Sequence, residues 1–295
     1  MLVHFLKKSL ALFVLMFSFF STFAQEVQHS ERTSRGKVTA PVLGELSGII
    51  ASINNPGMFW VHNDSGDEAN VYLIDSAARL KKTYRLEGIE AIDIEDIAWV
   101  ELDGKSYIVL GDIGDNRAIR NHISLYVFPE PQFVEGKGMD TIRRNDIAIK
   151  EMHYPGKGRD AEAFFIDPLD KQFYLISKRE FNSVLYTANI FNQSGRSILL
   201  KPLMKFPFTF ITAADISHNR DAIVMKSLTN IYYWPLIHKE SIVEALQKDF
   251  LPVMYEPEPQ GEAITFDRFS DGFFTISEKP FGLDSYLYYY HISKP

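Results

Sequence analysis

The chain has 295 residues, 46% apolar and 14% aromatic, with 38 acidic and 31 basic side chains and no cysteine. That composition excludes a disordered or collagen-like chain, and the lack of cysteine excludes a disulfide scaffold, thiol catalysis and a zinc–thiolate centre. A formal charge of −7 offers no basic face to a phosphodiester backbone, so nucleic acid is set aside as a partner.

Residues 1–24 read as an export signal. Lys7 and Lys8 make a positive start, residues 10–20 an apolar run, and Thr22-Phe23-Ala24 a small-x-small end, with cleavage expected after Ala24. A membrane anchor needs about 20 apolar residues, roughly twice this run, and no later segment is apolar enough to span a bilayer. The mature protein is therefore expected to be secreted or periplasmic. Residues 25–36 are expected to form a flexible N-terminus, and residues 37–295 a single domain.

Five similar strand onsets follow along the chain: ELSGII (45–50), DIEDIA (93–98), DAEAFF (160–165), TAADIS (212–217) and QGEAIT (260–265). With Ser47, Glu95, Glu162, Ala214 and Glu262 taken as equivalent, they recur every 48 to 67 residues. Each onset leads into a second strand pattern ending in a polar turn: NDSGD, GDIGDNR, SKRE, KSLTN and SEKP. Third strands follow at 71–75, 124–128, 184–188, 231–235 and 286–292, and fourth strands at 80–86, 146–154, 198–206 and 251–255. Units of about four short strands at this period predict an all-β fold, a five-bladed β-propeller. Six blades are the alternative if residues 129–159 hide one more. The fifth unit lacks its outer strand, and the N-terminal segment KVTAPVL (37–43) is expected to supply it and close the ring. A helix is predicted over 239–248.

All onsets and polar turns fall on one rim of such a ring. Residues i and i+2 share a strand face, so Ser47, Glu95, Glu162, Ala214 and Glu262 form one axial layer. Glu45, Asp93, Asp160, Thr212 and Gln260 form a second layer above it. Up to six carboxylates then converge, and two charges about 4 Å apart repel by roughly 4 kcal/mol at an effective dielectric near 20. Raised proton affinity, basic partners or a bound cation must relieve this. With oxygen donors alone, the ion expected is Ca2+. As ordinary solvated turns, the same acids would never meet.

The turns add Lys178, Arg179, Lys226 and Lys279, which read either as counter-ions of the acids or as cations for a phosphate. Asp64 and Arg117 are the preferred functional residues of the first two turns. Asp112, Asp115 and Asn116 read as turn formers or ligands, and His62 as a structural histidine. Trp60, Trp99, Trp234 and the Tyr288–Tyr290 run are assigned to packing.

The order ELSGII, DIEDIA, DAEAFF, QGEAIT, with the turns VHNDSG, VLGDIGD, ISKR and VMKS, resembles the calcium-activated nucleotidases (apyrases), five-bladed propellers with one axial calcium. It also resembles uncharacterised secreted bacterial propellers of phytase-like or esterase-like type. The resemblance implies calcium ligands at Ser47, Glu95, Glu162 and Glu262, with Ala214 standing where the nucleotidases have Ser and Ser65 where their turn has Arg. The function expected is a calcium-dependent hydrolase of a phosphorylated small molecule, with Asp64, Lys178, Arg179 and Lys226 as catalytic residues. A calcium-stabilised binding or scaffold propeller is the alternative. A glycoside hydrolase ranks third, because the turns hold few aromatic platforms for a sugar.

Overall fold

A computed structural model describes residues 30–292 except 65, 67, 137, 192–196, 238 and 270. The expected signal segment and Ser65 lie outside these residues. The five onsets open the strands Leu46–Ala51, Ile94–Leu102, Ala161–Ile166, Ile211–Ile216 and Ala263–Phe266, each the innermost strand of a separate sheet. These inner strands neighbour one another in a closed circle. The architecture is a five-bladed β-propeller, as the repeat period predicts.

Inner and second strands are rich in Val, Ile and Phe and buried on both faces, because each blade is sandwiched between two others. Five apolar clusters fill the five interblade spaces, one of them between blades 1 and 5. Trp60 lies wholly buried between blades 1 and 2, and its Nε1–H donates to Glu130 Oε1 at 2.8 Å. Glu130 is itself buried and also accepts from the Ser52 and Ser106 hydroxyls, so a carboxylate from blade 2 locks the inner turn of blade 1.

Residues 129–159 hold no sixth blade. Met139–Ile142 pairs in parallel with Leu80–Leu86 at the edge of blade 1, and Ala148–His153 is the fourth strand of blade 2. The other outer strands, Lys201–Lys205 and Leu251–Val253, lie within their predicted segments, as does the helix Ile242–Leu246, which starts from a Ser241–Glu244 capping box. Among the described residues, no helix is long and apolar enough to cross a membrane.

The ring is closed by an N-terminal strand, but not by residues 37–43. Ser30–Lys37 pairs antiparallel with Tyr286–Ile292 and becomes the outer strand of blade 5, so most of the stretch expected to be flexible is sheet. An outermost strand has no second blade to cover it and needs no apolar face. SERTSRGK meets that condition, with Arg32 over the Tyr288 ring and Arg35 over Tyr289, at 4.4 and 4.6 Å. The apolar residues of KVTAPVL serve elsewhere, with Val38 and Leu43 buried between blades 1 and 5.

Candidate functional site

Four of the five inner strands begin with the same irregularity. Pairing with the second strand skips one residue between Leu46 and Gly48, Ile94 and Asp96, Ala161 and Ala163, and Ile211 and Ala213. The skipped residues are Ser47, Glu95, Glu162 and Thr212. In blade 5, Glu262 directly precedes the first pair, Ala263 with Ile276. A bulge re-aims the extra side chain, and here it does so at the same register around the ring. The blade 4 equivalent of Ser47 is therefore Thr212, a hydroxyl, and not Ala214, which packs in the core between blades 3 and 4. The second layer changes with it. Phe210 takes the place given to Thr212, joining Glu45, Asp93, Asp160 and Gln260.

The turns meet this second layer through a repeated backbone hydrogen bond. Asp64 N donates to Glu45 O, Gly114 N to Asp93 O, Lys178 N to Asp160 O and Glu278 N to Gln260 O, at 2.8 to 3.3 Å. Gly114 thus stands where the other blades carry Asp64, Lys178 and Glu278. A Cβ on Gly114 would lie 2.3 Å from Glu95 Oε1 and 2.4 Å from Asp93 Oδ2, so the bare backbone here is what admits the two carboxylates. Asp64, Asp93 and Glu95 each bring an oxygen within 4.8 Å of the others. Asp112 aims the Asp93 segment by accepting from the Ile92 and Asp93 N–H groups, and is held in turn by Arg120 and the Tyr126 hydroxyl.

The remaining predicted residues surround this trio. Ser47 is buried, and its hydroxyl donates to the Glu95 carbonyl at 3.1 Å. Glu162 pairs with Lys178. Asp160 is buried against Arg179, whose guanidinium also donates to Asn116 Oδ1. Glu262 lies within electrostatic reach of Lys178, Asp64 and Lys226, while Glu45 is exposed at the lip. Lys226 departs from its expected place at the open mouth. Its side chain is fully buried, with the ammonium on the Gly261 and Ser227 carbonyls and over the Tyr255 ring. Lys279 reaches back toward the Ala40 carbonyl, and Arg117 stands exposed beside the mouth.

Proton affinities record the crowding. Burial, reinforced by the charges of Asp64 and Asp160, pushes Asp93 up to about 6. Burial and the neighbouring Glu162, Asp64 and Asp93 hold Glu95 well above the usual carboxylate range. Burial raises Glu162 as well, more than Lys178 lowers it. Glu278, which sequence reading passed over in favour of Lys279, is pushed up to about 7 by burial and then by Glu262, Asp64 and Glu45. Deeper in the channel Asp96 and Asp215 are buried, and their carboxylates accept backbone N–H groups of neighbouring blades, from Phe164 to Asp96 and from Phe266 to Asp215, at 2.9 and 2.8 Å. Burial raises Asp215 to about 7 despite those bonds.

All these acids bind protons more tightly when folded than when unfolded. Their effect is absent below pH about 4, and stability falls as pH rises through the raised values. In chelator, unfolding free energy measured by denaturant titration is expected to decline from pH about 4 to at least about 8, the value to which Glu162 is raised. A profile that rises across this window would show that the carboxylates do not converge.

No family model matches the chain, and no curated protein matches it. Among solved structures, the PQQ-bound form of aldose sugar dehydrogenase from Streptomyces coelicolor is similar at 10% identity, covering 90% of this chain and 98% of that one, with a TM-score of 0.49. A chain of a nidogen/laminin complex is similar at 9% identity over 81% of this chain and 74% of that one, with a TM-score of 0.48.

Proposed function

We propose that this propeller is an exported, calcium-dependent hydrolase of a small phosphorylated molecule, a nucleotide or another phosphoester, with its site at the mouth where the inner strands begin. The observation that carries this reading is the meeting of Asp64, Asp93 and Glu95 beside the basic pair Lys178 and Arg179. The donor set fits calcium. Oxygens around one such ion, each about 2.3–2.6 Å from it, are at most about 5 Å apart, and these three satisfy that limit without a sulfur or nitrogen ligand. Glu162, Glu262, Ser47 and the Thr212 hydroxyl stand next in the ring. The motif resemblance to calcium-activated nucleotidases and phytase-like propellers supports the same assignment.

Calcium held there supplies the positive charge that draws in phosphate oxygens and polarises phosphorus. The chain's own groups do the rest. Arg179, anchored by Asp160 and Asn116 but half exposed, presents its free guanidinium edge to the phosphoryl group. Lys178 offsets charge developing beside Glu162. Asp64, through the carboxylate oxygen not given to the ion, would orient the attacking water and take its proton as the water oxygen bonds to phosphorus, and that proton would pass to the leaving oxygen as its P–O bond breaks. A calcium-stabilised scaffold is the second reading, favoured by the burial of Lys226 and the pairing of Lys178 with Glu162, which make two of the cations internal counter-ions.

Phosphate release from nucleoside phosphates, sugar phosphates and phytate, assayed with calcium and with chelator, separates the two. We expect at least one substrate to turn over and chelation to reduce its rate by at least about 100-fold. No release from any substrate, with a calcium-dependent rise in melting temperature, would leave the scaffold.

A further inference from the structure

The same rim carries a feature unrelated to its acids. Sequence reading found the turns nearly devoid of aromatics, yet Phe181 and Phe281 project from them almost wholly into water, with residue exposures of 93% and 102%. They belong to a crown. Of the fifteen well-exposed large apolar side chains among the described residues, nine lie on loops at the mouth end, drawn from every blade or interblade link, against Val134, Leu169, Ile237 and Phe269 on loops at the opposite end and Met139 and Leu199 on edge strands. The most exposed of the nine are Ile92, Ile119, Phe181 and Phe281.

Two observations set this crown apart from scattered surface apolars, which need no explanation. Phe210 and Phe281 sit at positive φ, 57° and 55°, and Ala118, next to Ile119, at 53°. Non-glycine residues in this region are strained, and here the strained backbone holds apolar side chains outward. The crown also brackets a charged cavity. Between Ile119 and Phe181, the loops of blades 2 and 3 line about 230 Å³ with Arg117, Lys157, Arg159 and Arg179 alongside Asp115, Asp160 and Glu180. Arg159 and Arg179 are paired with Glu180 and Asp160, but Arg117 and Lys157 make no ion pair among the described residues.

We infer that this rim docks on a phospholipid surface, with the apolar tips entering the headgroup–acyl boundary and Arg117 and Lys157 meeting headgroup phosphates. The tips come from separate loops around the ring, except that Phe281 and Leu283 share one, a spacing unlike the single apolar core that two protein surfaces bury together. Apolar and aromatic points interleaved with cations suit an interface that is apolar in depth and anionic at its surface. The inference stands apart from the hydrolase reading, since vesicle binding needs no turnover.

Co-sedimentation of the full chain with vesicles of phosphatidylcholine, alone or with phosphatidylglycerol, tests it. We expect the protein to partition onto both, more strongly with phosphatidylglycerol. Phe181→Ser and Phe281→Ser should each lower the partition coefficient by roughly tenfold. Arg117→Gln with Lys157→Gln should remove most of the phosphatidylglycerol preference, about fivefold per residue. Phe281→Trp should show a blue-shifted fluorescence on vesicles. Both phenylalanines lie in solvent, so the serine variants should melt with the wild type and keep its activity, if any, on a water-soluble phosphoester. The inference is overturned if the protein stays in the supernatant at every lipid concentration, or if partition ignores the serine substitutions. A concentration-dependent dimer that these substitutions abolish, without vesicle binding, would give the crown to a second copy and overturn it as well.

Discussion

Glu95→Gln is expected to cut calcium-dependent phosphate release by at least about 100-fold and to abolish the rise in melting temperature that calcium gives the wild type. Glu95 sits in the bulge at the start of blade 2 and faces Asp64 and Asp93 over the bare backbone of Gly114. Gln keeps its shape and one acceptor oxygen but removes the negative charge on which a hard cation depends. The ion-free protein should respond in the opposite sense. Buried beside Glu162, Asp64 and Asp93, the Glu95 carboxylate is held against its preference for a proton. In chelator at pH 8 the Gln variant should therefore melt at or above the wild type. Calorimetry with and without calcium reads both effects. A variant that is less stable in chelator and still gains stability from calcium would remove Glu95 from the ion site.

Removal of residues up to and including Lys37 is expected to lower the melting temperature by on the order of 10 °C or more, equivalent to at least about 3 kcal/mol for a domain of this size. The strand Ser30–Lys37 contributes seven paired residues to blade 5. Its ion pairs, Arg32 with Glu256 and Lys37 with Asp284, are largely solvated, and such pairs contribute about 1 kcal/mol or less. Most of the effect must then come from the backbone ladder and from the cover over Tyr288 and Tyr289. Arg32→Gln or Lys37→Gln should accordingly shift the melting temperature by only a few degrees. The truncated chain also exposes the edge of Tyr286–Ile292, and light scattering should detect aggregation before the main transition. Equal melting temperatures for truncated and full chains would show that the ring holds without this strand.

Much of the fold was readable because the inner strands must be apolar on both faces and must start at one rim. Those two demands produced the five onsets and the acids at fixed offsets from them. Thr212 was misplaced because a bulge leaves no mark in composition, and TAADIS aligns with DIEDIA equally well by similarity two residues away. The closing strand was missed because SERTSRGK is free of the burial that makes strands legible. Lys226 was placed at the mouth by its turn, although the strand Ala222–Ser227 carries it into the wall beneath Gly261. Phe181 and Phe281 were passed over because exposure of an aromatic is decided by the turn's backbone angles and not by its neighbours in sequence.

The pairing of Thr33 with Tyr289 joins positions 256 residues apart. A nascent chain leaving the ribosome has no partner for its first strand until Tyr286–Ile292 has been made, and blades 1 to 4 must wait beside an open gap. Loop-closure entropy grows only slowly with such a separation, but it must be met before any of these contacts forms. The circle therefore closes last, after every blade between its two ends has been made.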